Sequence, residues 1–312
     1  MTPLRRPPRR TADPDGVGQG PRAGRVTRRP RLGLPMILGI GLLLAAHGAG
    51  ATNQELVPGS RLVFPYYDLR AGSLTLLLFT NVGASSAFVQ LEMYDQTCLR
   101  QDASLDLTPG DVDLLDIGRV FGEDPGGTFQ QGFVDAVTFS GDVLLGRAVI
   151  VNVAADWAIS YPAAPSQRAA GQFGVFEPYP HRLYLPAFLS PGVIEPSLFV
   201  DGLLILAAPH PTTPGAELTE LPVRASMTIV FDDGRSSSAG TSGHHVIVPI
   251  SRIVGSSGPP ALGWIKLVNN AVDEAGNRIG LVGLYLQTVI GPGTAIGMAT
   301  RLWHLPAGLP EP

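Results

Sequence analysis

Beyond residue 51 of this 312-residue chain, the residues able to do more than pack are few: the histidines at 181, 210, 244, 245 and 304, one cysteine, Cys98, and a run of carboxylates between Asp102 and Asp116. His244 and His245 form the only histidine cluster, just before Val246-Ile-Val248. Neighbours on a strand point to opposite faces, so two such imidazoles do not easily reach one metal ion, and the expectation is a loop-to-strand boundary with one exposed histidine. The carboxylate run includes Asp111, Asp113 and Asp116 but not the spacing of an EF-hand loop. Solvated turns are the favoured reading and Ca²⁺ the minority one; Asp232-Asp-Gly234 reads as a plain hairpin turn.

Nucleophiles fare no better. Gly240-Thr-Ser-Gly243 and Gly255-Ser-Ser-Gly258 lack the G-x-S-x-G spacing that sets a serine on a strand-to-helix turn, and both read as flexible loop. Cys98 follows an alternating segment and reads as partly buried and inert; a lone thiol makes no internal disulfide, which leaves an intermolecular one as the sharper alternative. The aromatics Phe64, Tyr66, Tyr67, Phe188, Trp264 and Trp303 raise the idea of a sugar-stacking platform, but Phe64 and Trp264 have core roles to fill and aromatic residues favour strands in any case. No dinucleotide fingerprint, phosphate loop or zinc spacing is present. No catalytic, cofactor-binding or metal residue is therefore assigned, and no cofactor beyond that minority Ca²⁺.

The charge distribution points to export. Of 22 basic and 26 acidic residues, the first 51 hold nine arginines and two aspartates, which leaves 13 basic and 24 acidic residues after them. So acidic a remainder repels nucleic acid and anionic surfaces, and no nucleic-acid partner is expected. A basic head, an apolar stretch from Leu32 to Ala46 and a final Ala49-Gly-Ala51 stand in the order of a secretory signal peptide, the apolar run being short for a membrane span. Arg28-Arg29 suits a twin-arginine signal, with Sec export equally consistent.

Elements that could position any site are strands. Gly 38 and Pro 29 punctuate short apolar runs, the pattern of many strands and turns. Leu74 to Thr80 reads as a buried strand closed by Asn81-Val-Gly83. Val89 to Asp95 alternates, with Val89, Leu91 and Met93 facing a core and Gln90, Glu92 and Tyr94 facing out. Leu105-Asp-Leu-Thr-Pro-Gly110 and Val112 to Ile117 read as a short pair around a Pro-Gly turn, and Gly132 to Phe139 with Val143 to Ala154 as a hairpin. Loops are expected at Pro209 to Pro222 and Gly234 to Gly243, and a last strand from Ala295 to Leu305.

The order then repeats. Arg61-Leu-Val-Phe-Pro-Tyr-Tyr-Asp68 is answered by Arg182-Leu-Tyr-Leu-Pro-Ala-Phe-Leu189, and Leu74 onward by Asp201 to Leu206. Ala225 to Asp232 repeats the alternating strand with Met227, Ile229 and Phe231 on one face, Ile250-Ser-Arg-Ile253 echoes Ile117-Gly-Arg-Val120, and Gly263 to Val268 echoes Gly132 to Val137. Strands must keep their pleat phase while loops absorb insertions, so this is what an old tandem duplication looks like.

Leu62-Val-Phe-Pro-Tyr-Tyr-Asp68, Thr80-Asn81, Tyr94-Asp-Gln-Thr-Cys98, Leu107-Thr-Pro109 and Gly132-Phe-Val134 together resemble a group of secreted bacterial proteins with β-sandwich-like domains. The resemblance implies export and a sandwich over residues 61 to 161, and brings no activity with it. The expectation is an all-β chain of two tandem antiparallel β-sandwich-like domains related by internal duplication: signal peptide 1–51, first sandwich 55–161, linker 162–180, second sandwich 181–306, tail 307–312. Its expected role is non-enzymatic binding or structure in the periplasm or outside the cell, with an unknown protein or glycan as partner, no membrane span in the mature chain and no oligomeric state assigned. The rivals are a secreted hydrolase and a carbohydrate-binding module. Sequencing the exported protein from its N-terminus should read Thr52 first; retention of residues 1–51 would refute the signal peptide.

Overall fold

Proline sets the register of the strand that opens each half of the chain. The computed structural model describes residues 56–122, 127, 129–153, 157–172, 174–209, 222–255, 260–291 and 294–302. Its first half runs β1 (Arg61–Asp68), β2 (Ser73–Asn81), β3 (Ala87–Asp95), β4 (Arg100–Leu107), β5 (Val112–Asp116), α1 (Ile117–Phe121), β6 (Gln131–Thr138), β7 (Leu144–Asn152), β8 (Trp157–Pro162) and β9 (Ala164–Ser166). The second runs β10 (Arg182–Leu189), β11 (Gly192–Glu195), β12 (Leu198–Ala207), β13 (Val223–Phe231), β14 (Ser236–Gly243), β15 (His245–Pro249), α2 (Ile250–Val254), β16 (Leu262–Asn269), β17 (Val282–Gly291) and β18 (Thr294–Arg301). Pro65 has no N–H to give β6, so the ladder skips between Phe64 and Tyr67; Pro186 causes the same skip between Leu185 and Phe188 against β16. Beyond each skip an aromatic lies opposite a glycine, Tyr67 on Gly132 and Phe188 on Gly263, where a Cβ would come within 2.9 Å of the ring.

The described residues are all-β, with 63% strand and 5% helix, and their sheets are antiparallel. Sheet I has the order β4-β3-β6-β1-β9 and sheet II the order β5-β2-β7-β8. Sheet III is β14-β13-β16-β10, and sheet IV is β12-β17-β18 with β11 and β15 on the far side of β12. The strand orders of sheets III and IV thus match those of I and II position for position, apart from β9 and β11. Met227, Ile229 and Phe231 are buried along β13, as Val89, Leu91 and Met93 are along β3. The four sheets form a propeller-like ring, and Gln54–Pro312 is one compact unit. Two separable sandwiches would each close their own core. Here Ile205, Leu284 and Leu286 of sheet IV complete the core between sheets I and II, built around the edge-on pair Phe64–Phe79 at 5.3 Å.

Two expected pairings and one expected loop are corrected. β4 and β5 do not form a pair: β4 joins β3 in sheet I and β5 joins β2 in sheet II. Asn81 pins the turn between them to the end of sheet II, its Nδ2 donating to the Leu107 and Thr108 carbonyls at 3.2 and 3.1 Å and its own carbonyl accepting from Gly110 N at 3.0 Å. β6 and β7 form no hairpin either, because β7 faces β1 across the core; a Cβ on Gly146 would lie 2.8 Å from both Leu62 and Phe64. Gly234–Gly243 is mostly strand, since β14 pairs with β13 over its whole length. The loop expected at 209–222 lies almost entirely outside the described residues.

Glu92 and Tyr94, expected on a wet face, are buried, because the second half covers the outer face of sheet I. Val63, Tyr94 and Phe133 meet Ala207, Val282 and Tyr179 there. Residues 162–180, read as the joint, carry β9 and bring Phe176 and Tyr179 over Arg61, whose guanidinium lies 5.8 and 5.9 Å from their rings. Arg61 and Asp135 are 1% and 3% exposed; Nε of Arg61 donates to both carboxylate oxygens at 2.9 and 3.0 Å, and its terminal nitrogen adds a second ion contact. Burial works against this charge, but the Asp135 carboxylate and its hydrogen bonds overcome that and hold the guanidinium above its ordinary pKa. Glu92 accepts the Tyr94 hydroxyl at 2.6 Å beside it.

Removing one partner strands the other in a dry site. Asp135→Ala should therefore cost about 3–5 kcal/mol by urea denaturation, whereas Arg61→Met with Asp135→Leu should come close to wild type; equal losses in both would show that the pair is not the cause.

Candidate functional site

The outer face of sheet III, the counterpart of the covered face of sheet I, holds a groove of about 410 Å³. It is shaped by the β13–β14 hairpin. Gly234, with φ of +82°, makes the turn, and Asp233 accepts from Arg235 N at 3.0 Å and Arg235 Nε at 2.6 Å. The resulting register sets Arg224 opposite Ser242 and Ser226 opposite Gly240, and because side chains alternate along a strand these four share the outer face. Asn270 closes one end. Its N–H donates to the Arg224 carbonyl at 2.9 Å and its Nδ2 to Ser226 Oγ at 3.1 Å. The neighbouring Asn269, fully buried, accepts from Arg224 N at 2.8 Å and donates to the Pro222 and Ile279 carbonyls, so the edge of the groove is anchored in the core.

The groove is shallow and open and most of its accessible surface is apolar, but the residues around it carry a guanidinium that donates, a carboxamide that does both, and serine hydroxyls that do both. This chemistry suits hydrogen bonding to a polar, hydroxyl- or oxyanion-bearing ligand. Sequence reading put Met227, Ile229 and Phe231 on one face of this strand, as they are, but missed the groove because it treated residues 234–243 as loop. The missing signal is weak: Ser236-Ser-Ser-Ala-Gly-Thr-Ser-Gly243 has no apolar alternation, for its inner positions are small residues at a sheet edge.

The other candidate residues are not brought together. Asp102 and Asp106 lie on the exposed face of β4 in sheet I, while Asp113 and Asp116 sit on β5 in sheet II, Asp116 capping α1. Among the described residues no group of three or more His, Cys, Asp or Glu is placed to hold a metal ion. Phe64, Tyr66, Tyr67 and Phe188 are buried and form no stacking platform; Trp264 is half-buried on the outer face of sheet III, off the core where it was expected, and Trp303 lies outside the described residues. Gly240–Gly243 is strand, while residues 256–259 lie outside the described residues. Cys98 sits half-buried in the β3–β4 turn with φ of +64°, and burial, with the Asp95 carboxylate adding to it, pushes its thiol up to about 12. The thiol therefore stays protonated and is a poor nucleophile.

Neither residue of the His244-His245 pair is exposed: His244 is half-buried and His245 buried. His245 belongs to β15 and reaches into the first half, its Nε2 2.9 Å from the Pro65 carbonyl and its ring 5.7 Å from that of Phe133. A carbonyl only accepts, so Nε2 carries the proton and Nδ1 is buried without a partner. His210 and His304 fall outside the described residues.

No protein family model and no curated protein matches the chain. Among solved structures it is similar to the crystal structure of Thermotoga maritima 1070, at 11% identity over 36% of this chain and 98% of that one, with a TM-score of 0.32. It is also similar to a glycosyl hydrolase family 2 member from Bacteroides cellulosilyticus, at 8% identity over 77% of this chain and 27% of that one (TM-score 0.16), and to the CupB6 tip adhesin from Pseudomonas aeruginosa, at 8% over 77% and 89% (TM-score 0.13).

Burial lowers the His245 pKa to about 4, against the small opposing pull of the Pro65 carbonyl. In acid the unfolded chain takes up the proton first, so stability present above pH 6.5 is lost as pH falls from 6.5 towards about 4, by roughly 3 kcal/mol in all. His245→Gln, which keeps a donor for Pro65, should lack that part of the acid loss. Parallel pH–stability curves for the two proteins would sink the assignment.

Proposed function

We propose that this chain is an exported, non-enzymatic binding module of the periplasm or cell surface, built as two duplicated β-sandwich-like units, with the groove on sheet III as its contact for a glycan. The matching strand orders, the paired skips at Pro65 and Pro186 and the equivalent Gly132 and Gly263 support the duplication. The observation that carries the binding role is the fate of one face. On sheet I it is buried by the second half; on sheet III it is open, and Arg224, Ser226, Ser242 and Asn270 line a groove there. Sugar hydroxyls both donate and accept, and this set of amide, hydroxyl and guanidinium groups answers them in kind. Loops and open faces of a rigid sheet are where such modules place recognition.

The test is a glycan array probed with the full chain, followed by titration of any sugar retained. Arg224→Ala and Asn270→Ala should each weaken binding by roughly tenfold, about what one lost hydrogen bond to a charged or amide group costs. Retention of no glycan, or binding unchanged by both substitutions, overturns the groove. Turnover of the bound sugar would instead make the protein a hydrolase.

A further inference from the structure

β14 ends sheet III, hydrogen-bonded to β13 on one side and to no described strand on the other. A row of backbone N–H and C=O groups left in this way is a template for another strand, and proteins normally guard it with charge, proline, brevity or a covering element. The remaining edges of the described sheets are guarded. β4, which holds the corresponding place in sheet I, carries Arg100, Asp102 and Asp106, with Arg100 paired to Asp102 at 3.1 Å and to Glu92 at 3.7 Å. β9 has Pro165, β10 has Arg182 and Pro186, β5 has Asp113 and Asp116, and β15 is short and ends in Pro249. β11 has four residues, while β8 and β18 pack on one another. Only β14 is long and lacks charge, proline and cover among the described residues: Ser236-Ser-Ser-Ala-Gly-Thr-Ser-Gly243.

We propose that β14 is a self-association edge, through which a second copy of this chain pairs antiparallel to continue sheet III across a two-fold axis. The occupant follows from self-complementarity. With Ala239 on the axis, Ser236 meets Ser242, Ser237 meets Thr241 and Ser238 meets Gly240, so every cross-strand pair is small and uncharged and each keeps its face of the sheet. Electrostatics favours the same partner. The turn of one copy carries Asp232, Asp233 and Arg235, a net single negative charge with Asp233 held by Arg235 at 2.6 Å, and comes to the end of the junction where Arg224, paired with Ser242, stands in the other, two strand spacings or about 10 Å beyond Ser236. The junction shares Gly240, Thr241 and Ser242 with the groove, but Ser236 and Ser238 lie outside its lining, so substitutions there test the edge without changing a groove residue.

Sedimentation equilibrium of the full chain, from micromolar to sub-millimolar, reads the answer. Wild type should rise to twice the chain mass. Ser236→Lys with Ser238→Lys should remain a single chain with an unchanged unfolding midpoint, as should Ser236→Glu with Ser238→Glu, and mixing the two variants should restore a species of twice the mass. A wild type that stays single throughout, including one that instead takes up an extended peptide at β14, overturns the second copy as occupant. Association undiminished in the lysine variant, or a variant mixture that stays single, overturns the edge as its site.

Discussion

A charge taken out of water must be met by another, and the middle of this protein is arranged around that requirement. Sheet I is covered on both faces, by sheet II on one side and by the second half of the chain on the other. β1 is consequently buried at all eight positions, and its first residue is an arginine. Asp135 on β6 sits within reach because the antiparallel ladder sets Val63 opposite Asp135, two residues from the Arg61–Val137 pair on the same face. Phe176 and Tyr179 complete the enclosure from the segment that joins the halves. Such a pair adds little net stability over apolar residues of the same shape, but it penalises any register or docking that parts its members.

The second half lacks this burden. Where sheet I has Asp135, sheet III has Lys266, and where it has Glu92, sheet III has Thr228, in the same places of the same strand order. One backbone plan thus supports two surfaces, a sealed one that joins the halves and an open one that carries the groove. The His245 contact shows how the seal is made: a side chain from the last helix-flanking strand of sheet IV takes up the Pro65 carbonyl beside the skip in the ladder. Tyr161 approaches the backbone of Tyr66 at the same bend, donating to its carbonyl. The proline that interrupts β1 thereby supplies the polar groups by which its neighbours hold it.

Much of this was legible in the residues themselves. The strands beginning at Arg61 and Arg182 and the buried stripe of Met227, Ile229 and Phe231 follow from pleat phase and local turn chemistry. Sheet membership was not legible. A Pro-Gly turn looks the same whether it closes a hairpin or passes the chain to the opposing sheet, and only Asn81, bonded to carbonyls 26 and 27 positions away, decides for the second. Burial of Glu92 and Tyr94 was hidden for a similar reason, since alternation reports one wet face and the covering half comes from distant sequence. The groove escaped notice because its outer strand is made of serine and glycine, residues that signal loop unless a neighbour's register recruits them.

The position of β1 also bears on how the chain reaches this state. Its two hydrogen-bonded neighbours are β6, starting at Gln131, and β9, starting at Ala164, so the first strand of the first half has no partner close in sequence. Closing loops of that size has to precede any reward from pairing, which marks the protein as a slow folder of high contact order. Until β6 arrives, Leu62, Phe64, Tyr66 and Tyr67 are an uncovered greasy ribbon. Pro65 in their midst cannot extend an intermolecular ladder, and so the residue that bends the finished strand also acts as a gatekeeper while the chain is still open.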